Sequence, residues 1–316
     1  MRGVAFLIAV ALILVPAIGM AAEPAAVEGP RLAPGDFWTY RTNTSLAAGL
    51  SLDGRVTLSL ADRSAIAVEG TPYDVYNLSL SGSGTAAGRI ETRLGSANAS
   101  GSWILTGWQL TEVRGLTRLW TVVDLEANGT VDTKPAPLPF ALRVQNTTRF
   151  RLESDPWSFP IRVGDSATVA GRMNFTEDVG LSYGFPTTPK RTVGVAWWNR
   201  TFTLGPAARV NTSLGTFDTF PIDETDPDGI STRLFFAPVA GNYARTETRN
   251  GTSELGTSDL VAYRYQALEP SRFLGLTLDQ WAIAAAGIAA GAAAFVWWRR
   301  RRKKRGTDGA VPPTPP

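Results

Sequence analysis

The sequence contains no cysteine and no histidine, and these two absences remove several kinds of chemistry. Without cysteine there is no disulfide framework, so an exported domain must be stabilised by its core and by strand pairing. The usual zinc ligands, the cysteine nucleophiles and the general base of most serine hydrolases are also missing. Before the C-terminal basic cluster there are only two lysines, Lys134 and Lys190. We therefore expect a protein that is not an enzyme and that needs no cofactor.

A basic surface is also lacking over most of the chain, although the sequence pI is about 9.3. Seven of the 31 basic residues lie in the single run 299–305, and the rest of the chain carries more acidic than basic residues. A nucleic-acid-binding domain needs a basic face on the folded domain itself. The composition therefore does not favour a nucleic acid as partner.

The N-terminal residues 1–22 have the pattern of a secretory signal peptide. Arg2 is followed by an apolar stretch from Val4 to Gly19, and the small residues Ala21 and Ala22 suit a cleavage site. The alternative is an uncleaved N-terminal anchor, but the apolar stretch is short and ends in that cleavage-like site. We expect the signal peptide to be removed after export.

The segment 278–298 is predicted to be a transmembrane helix. Its residues 281–298 carry no charge and would span about 27 Å as a helix, which matches a hydrocarbon core. The basic residues that follow place the tail 299–316 in the cytoplasm and the N-terminus outside. A removable C-terminal sorting tail is the alternative. Gly287 and Gly291 form a G-x-x-x-G spacing that could support self-association, although an Ala/Gly-rich span produces such spacings by chance.

Nine of the ten asparagines begin an N-x-[ST] triplet, whereas roughly two would be expected by chance. All nine lie between the two apolar ends, in the region that the topology places outside the cell. This pattern predicts a heavily N-glycosylated ectodomain, and it resembles archaeal cell-surface glycoproteins. The predicted glycosylation sites are Asn43, Asn77, Asn98, Asn128, Asn146, Asn174, Asn199, Asn211 and Asn250.

The ectodomain has the residue pattern of β-strands throughout. Residues 55–60, 140–144 and 193–197 alternate with a period of two, and Val, Thr and aromatic residues are frequent. Turn signals at residues 53–54, 106–107, 128–129 and 250–251 suggest hairpins. We therefore expect a mainly β fold, and we interpret Trp103, Trp108, Trp120, Trp197 and Trp198 as core residues rather than as a platform for sugar or lipid.

Three short segments recur in the same order and suggest an internal repeat. Residues 32–36 (LAPGD) correspond to 161–165 (IRVGD), 70–76 correspond to 215–220, and 117–120 (TRLW) correspond to 232–235 (TRLF). The alternative is that β-rich sequences reuse similar turns. The repeat predicts two similar antiparallel β domains, at 31–152 and 157–268, each a half-barrel or a sandwich.

The opening residues 35–40 (GDFWTY) resemble a group of exported all-β domains that begin with a Gly-x-x-Trp-x-Tyr strand. Residues 215–218, 234–238 and 259–263 are similar to the end of those domains. Some relatives of that group are distantly like the half-barrel of LolA-type lipoprotein carriers. The resemblance implies a β fold of this kind, and it transfers no functional residue.

One acidic loop is a candidate metal site. Glu224, Asp226, Asp228 and Gly229 approximate the start of a calcium-binding loop, in which oxygen ligands converge on a hard cation. The match then fails, because Phe235 stands where a bidentate glutamate is needed. The same residues also form an ordinary solvated turn.

Two functions fit these observations. The first is a membrane-anchored, N-glycosylated cell-surface protein with a non-enzymatic structural, adhesive or interaction role. The alternative is an extracytoplasmic binding or carrier protein for a lipid or another apolar ligand. The two differ in the interior of the fold, because a carrier needs a cavity of several hundred Å³, whereas a structural module should have its inward aromatic residues fully packed.

Overall fold

The computed structural model describes residues 26–46, 49–92, 95–134, 136–183 and 189–266. The predicted signal peptide, the predicted span 278–298 with Gly287 and Gly291, and the basic tail 299–316 lie outside these residues. Within the described ranges, no helix is long and apolar enough to cross a membrane.

The described chain consists almost entirely of strands, which confirms the predicted mainly β class. A single 3-10 turn, Pro238–Ala240, interrupts them. The strands are β1 Ala26–Val27, β2 Phe37–Ser45, β3 Leu50–Val68, β4 Thr71–Thr92, β5 Gly95–Glu112, β6 Arg118–Val131, β7 Leu138–Ser154, β8 Ile161–Arg162, β9 Ser166–Tyr183, β10 Lys190–Leu204, β11 Ala208–Thr212, β12 Gly215–Thr225, β13 Ile230–Ala237, β14 Asn242–Asn250 and β15 Ser253–Arg264.

Twelve of the strands form one closed antiparallel barrel. Neighbours along the chain pair in sequence, β7 pairs with β9, and β15 returns to pair with β2. The barrel closes where β10 meets β12, between Thr201↔Thr225 and Leu204↔Ile222. The two-residue strands β1 and β8 form a separate small sheet, and β11 extends β12 outside the ring.

The predicted division at residues 152–157 separates two halves of this barrel and does not separate two domains. Strands β2–β7 form one half, and β9, β10 and β12–β15 form the other. The end strands of each half pair with the end strands of the other, at β7–β9 and β15–β2. A six-stranded curved sheet has two open edges, and pairing them with each other removes both edges.

The first predicted repeat is present in the structure as two turns with the same hydrogen bonds. Gly35 has φ +92°, the Asp36 carboxylate accepts the Ala33 N–H at 2.8 Å, and the Asp36 carbonyl accepts the Leu60 N–H at 2.8 Å. Only glycine adopts such a φ without strain. The aspartate then holds the turn that leads into β2.

The second copy of this turn leads into β9. Gly164 also has φ +92°, the Asp165 carboxylate accepts the Arg162 N–H at 2.8 Å, and its carbonyl accepts the Leu204 N–H at 3.0 Å. The matched bonds support the predicted repeat.

The third predicted correspondence is wrong. Residues 117–120 lead into β6, the fifth barrel strand of the first half, whereas 232–235 lie in β13, the fourth strand of the second half.

Three of the four predicted turn pairs lie inside strands instead. Only residues 250–251 form a hairpin turn, with Gly251 at φ +58° between β14 and β15. Gly54 and Gly129 face the barrel interior, where a Cβ atom would come within 2.5 Å of the Trp103 ring and 2.7 Å of the Phe140 ring, respectively. These glycines therefore make room for aromatic rings rather than for turns.

The interior changes in character along the barrel axis. At one end the long strands β3–β7 pack their inner faces together around Leu52, Trp103, Leu125 and Phe140. At the other end Trp38 and neighbouring residues form a second cluster, and a third cluster includes Val27 and Trp157 from the segments that cover this end. The central part of the barrel lies between these packed regions.

Candidate functional site

A cavity of about 330 Å³ occupies the central part of the barrel. Along β3 it begins at Val56 and Leu58, immediately after the residues that pack the long end. Along β7 it is lined by Phe150, again beyond the packed positions Phe140 and Leu142. The cavity is therefore the space left between the two packed ends of one barrel.

Aromatic side chains form much of the wall. Phe150 of β7 lies 5.0 Å from Trp198 of β10, measured between ring centroids, and Trp157 stacks on Phe202 at 5.5 Å. All four line the cavity. These ring contacts hold the side chains in place. The apolar wall that the rings form suits an apolar ligand.

An ion cluster lies in the same wall, because Arg200 stands between Trp198 and Phe202 on the inner face of β10. The Arg200 guanidinium contacts the Glu224 carboxylate, and its Nη2 lies 3.8 Å from Asp226 Oδ2. The acidic side chains are only 11% and 13% exposed. Within the described residues, Arg200 Nε–H is buried and has no hydrogen-bond partner. The guanidinium therefore keeps one unpaired donor inside the barrel wall.

The arginine reaches these acids because of how the barrel closes. Arg200 and Phe202 share the inner face of β10, and Phe202 pairs with Glu224 in the seam. Sequence reasoning missed Arg200, because a partner on β10 becomes visible only when β10 and β12 are known to be neighbours.

The acidic residues of the predicted calcium loop are held in other interactions. Asp226 Oδ1 accepts the backbone N–H of Asp228 at 3.1 Å and of Ile230 at 2.9 Å, while Glu224 contacts Arg200. Gly229 completes the turn with φ +85°. In the part of the chain that the structure describes, no group of three or more acidic side chains could hold a metal ion. A calcium site at Glu224, Asp226 and Asp228 stays a prediction.

Two tyrosines provide neutral polar groups in the wall. The Tyr40 hydroxyl donates to the Tyr243 carbonyl oxygen at 3.0 Å, and both residues line the cavity. Burial raises the pKa of Tyr243 to about 12, and burial also raises the pKa of Tyr40 well above its usual value. Both hydroxyls therefore stay protonated at neutral pH and can orient a ligand, but they are poor bases.

A row of uncharged polar side chains continues this wall. The Ser258 hydroxyl donates to Thr42 Oγ1 at 3.0 Å, and both side chains line the cavity together with Thr246. On the facing wall Gln109 donates to Thr111 at 2.8 Å. Small-molecule sites combine apolar side chains with polar groups that orient the ligand, and this cavity has both.

A partly buried carboxyl lies beside the covered end of the cavity. Burial raises the pKa of Asp155 to about 6, and the charge of the nearby Glu112 adds to the increase. Glu112 itself is held by Arg114 at 2.7 Å and by the Gly115 N–H at 2.7 Å. Asp155 Oδ1, by contrast, is buried without a hydrogen-bond partner among the described residues.

Replacing Asp155 by asparagine is expected to stabilise the protein at pH 7.5. The folded-state pKa of about 6 lies above the unfolded value of about 3.9, so the wild type loses stability as pH rises from about 4 to about 6. The asparagine variant does not lose this stability, because its side chain does not ionise. Because the carboxyl is only partly buried, we expect a gain of about 1 kcal/mol, or about 2–4 °C in Tm, at pH 7.5. Thermal unfolding at pH 7.5 and pH 4 checks this, and an equal gain at both values would contradict it.

The predicted glycosylation sites are distributed unevenly over the barrel. Five are well exposed: Asn43, Asn98, Asn128, Asn211 and Asn250. The other four are half-buried: Asn77, Asn146, Asn174 and Asn199. Asn146 differs in orientation, because it shares the inner face of β7 with Leu142 and Phe150. Modification of all nine asparagines stays a prediction.

The five tryptophans that were predicted to lie in the core occupy different environments in the structure. Trp103 is buried in the packed end and Trp198 lines the cavity, whereas Trp108 and Trp120 form a ring pair at 5.0 Å in a small cluster with Val75. Trp197 is 59% exposed, so its assignment to the core was wrong. Trp198 faces the interior of the barrel, and because successive side chains of a strand point to opposite faces, Trp197 points outward.

The fold and the cavity define a closed twelve-stranded antiparallel barrel with an amphipathic interior. Comparison with protein-family models, with curated proteins and with solved structures found no match. The resemblances to archaeal surface glycoproteins and to LolA-type carriers therefore stay predictions from the sequence.

Proposed function

We propose that the chain is a binding protein that holds a small amphipathic molecule in the central cavity of the barrel. The observation that carries this proposal is the cavity of about 330 Å³ between two packed ends. Small-molecule sites in proteins typically enclose about 300–1,000 Å³. The volume thus suits a small ligand, such as a medium-length acyl chain or a compact ring system.

The location of the protein is part of the same proposal. The signal-peptide pattern, the charge-free segment 281–298 and the nine N-x-[ST] triplets all favour an anchored barrel outside the cytoplasmic membrane. A binding site held there would meet molecules of the cell envelope.

The ligand should have an apolar body and a head that accepts hydrogen bonds. Phe150, Trp198 and Phe202 provide apolar contact, while Arg200 and Tyr243, which also line the cavity, provide donors. Glu224 and Asp226 already balance the charge of Arg200, so a strongly charged head is not required.

The structural or adhesive role finds less support in this interior. A purely structural barrel gains stability by filling its centre, because buried empty space forfeits dispersion contacts. A catalytic role also finds little support, since the Glu224 carboxylate that lines the cavity and the neighbouring Asp226 carboxylate interact with Arg200 instead of facing a free space together. We therefore propose binding without a reaction.

The experiment is photolabelling of the full-length protein in its membrane with a medium-chain fatty acid that carries a diazirine. We expect labelled peptides that contain Phe150, Trp198 or Leu234, all of which line the cavity. Ser258→Trp should fill the space and reduce this labelling at least about tenfold, which corresponds to about 1.4 kcal/mol.

The matched control is Thr257→Trp, which adds the same side chain on the other face of β15. Thr257 pairs with Asn43 on the outer side, whereas Ser258 pairs with Thr42 on the inner side. The control should label like the wild type. Equal labelling of the Ser258→Trp variant, or labelling confined to residues 278–298, would overturn the proposal.

A further inference from the structure

The outer face of β10 carries an exposed apolar stripe, formed by Val193, Val195 and Trp197. These side chains are 67%, 70% and 59% exposed. They lie on one face because they occupy alternate positions of the strand. Exposed apolar side chains that form a contiguous group usually mark a surface that something covers.

The edge of β10 beside this stripe is open. In the described residues β10 pairs with β12 only over Thr201–Leu204, so 190–200 has β9 on one side alone. An open edge with apolar side chains invites association unless it is protected.

The stripe continues directly into a predicted glycosylation site. Asn199 follows Trp197 by two residues, so both side chains leave the same face about 7 Å apart. Thr201, which completes the N-x-[ST] triplet, stands on that face as well. Of the nine triplets, this is the one with an aromatic residue two positions before the asparagine.

The half-buried side chain of Asn199 makes no hydrogen bond within the described part of the chain, whereas Asn174, the other triplet beside the stripe, donates its amide N–H to Glu69. Asn174 pairs with Val195 across the strands. Asn199 is therefore the better placed of the two asparagines to carry a sugar over Trp197.

We propose that Trp197 is a docking platform for a glycan on Asn199, and that this glycan covers the apolar stripe of β10. A sugar ring presents a face of C–H groups, and an indole ring presents a flat apolar face of similar size. Stacking the two removes apolar area from water on both sides. This proposal depends on N-glycosylation of the chain and is independent of the ligand proposed for the cavity.

A second copy of the chain is a less suitable occupant of this edge. A glycan on Asn199 would obstruct the approach of a second β10 edge, because Asn199 lies on the same face of the strand as the stripe.

The test is a double-mutant cycle on the full-length protein made in a host that modifies N-x-[ST] triplets. The variants are Trp197→Ala, Asn199→Gln and the two together. We expect glycopeptide mass spectrometry to find Asn199 modified in the wild type. Each single variant should lower Tm by about 2–4 °C, and the double variant should lower it no further than either one.

The control cycle combines Trp197→Ala with Asn43→Gln. Asn43 is an exposed triplet on β2 with Arg41 two positions before it, so the two Tm changes should add. A direct readout is NMR of the glycan, in which ring current from Trp197 should shift protons of the first sugar upfield. Unmodified Asn199, additive changes in the first cycle, or a Trp197-dependent dimer in sedimentation would each overturn the proposal.

Discussion

Replacing Trp38 by alanine is expected to lower the free energy of unfolding by about 3–5 kcal/mol, one of the two largest effects that we predict. Trp38 is fully buried, and its indole Nε1–H donates to the Ala240 carbonyl oxygen at 2.7 Å. The substitution opens a large void and leaves that buried carbonyl without its partner. Urea unfolding followed by far-UV circular dichroism measures the loss.

The matched control is Trp197→Ala, made in protein without glycans. The same side chain is removed from the exposed outer face of β10, where it is 59% exposed. Surface substitutions usually change stability by less than about 0.5 kcal/mol. Comparable losses at the two positions would mean that Trp38 does not anchor the covered end of the barrel.

The second large effect is expected for Arg200→Met. Methionine keeps much of the apolar stem but removes the cation that faces Glu224 and Asp226. Removing one partner of a buried ion pair leaves an uncompensated charge and costs about 3–5 kcal/mol. We expect this loss at pH 7 in urea unfolding followed by far-UV circular dichroism.

An outer ion pair provides the control, because its acid, Asp223, lies next to Glu224 on β12. Arg233 of β13 contacts Asp223 through two hydrogen bonds of 2.6 and 3.2 Å, and the side chains are 52% and 41% exposed. Arg233→Met should cost about 0–1 kcal/mol, since exposed pairs are well solvated. Equal losses for the two variants would show that the inner acids are hydrated and not dependent on Arg200.

Much of the fold could be predicted from local patterns, because a strand is recorded in the alternation of its own residues. Segments 55–60, 140–144 and 193–197 all lie in strands. The roles of the glycines were harder to predict, because glycine has two different uses in this fold. Gly251 forms a turn, whereas Gly54 leaves room for an aromatic ring. Local sequence does not distinguish these uses, because the ring comes from another strand.

The candidate site could be predicted only in part. The acids at Glu224 and Asp226 were visible as a cluster, but their cation comes from Arg200, more than twenty residues earlier in the chain. The cavity depends on which inner faces meet after closure. The alternation of polar and apolar residues shows which residues of a strand share a face. It does not show which of the two faces becomes the inside of the barrel, and for this reason Trp197 was wrongly assigned to the core.

The junction between β10 and β12 has a consequence for motion. Four residue pairs hold it, from Thr201↔Thr225 to Leu204↔Ile222, whereas β9 and β10 share fourteen. A wall with one short junction yields there first, because local opening follows the segment with the fewest bonds to break. Arg200 precedes this junction by one residue, and its guanidinium contacts the Glu224 carboxylate across the junction. Loss of the contact between Arg200 and Glu224 is therefore expected to make local opening between β10 and β12 easier.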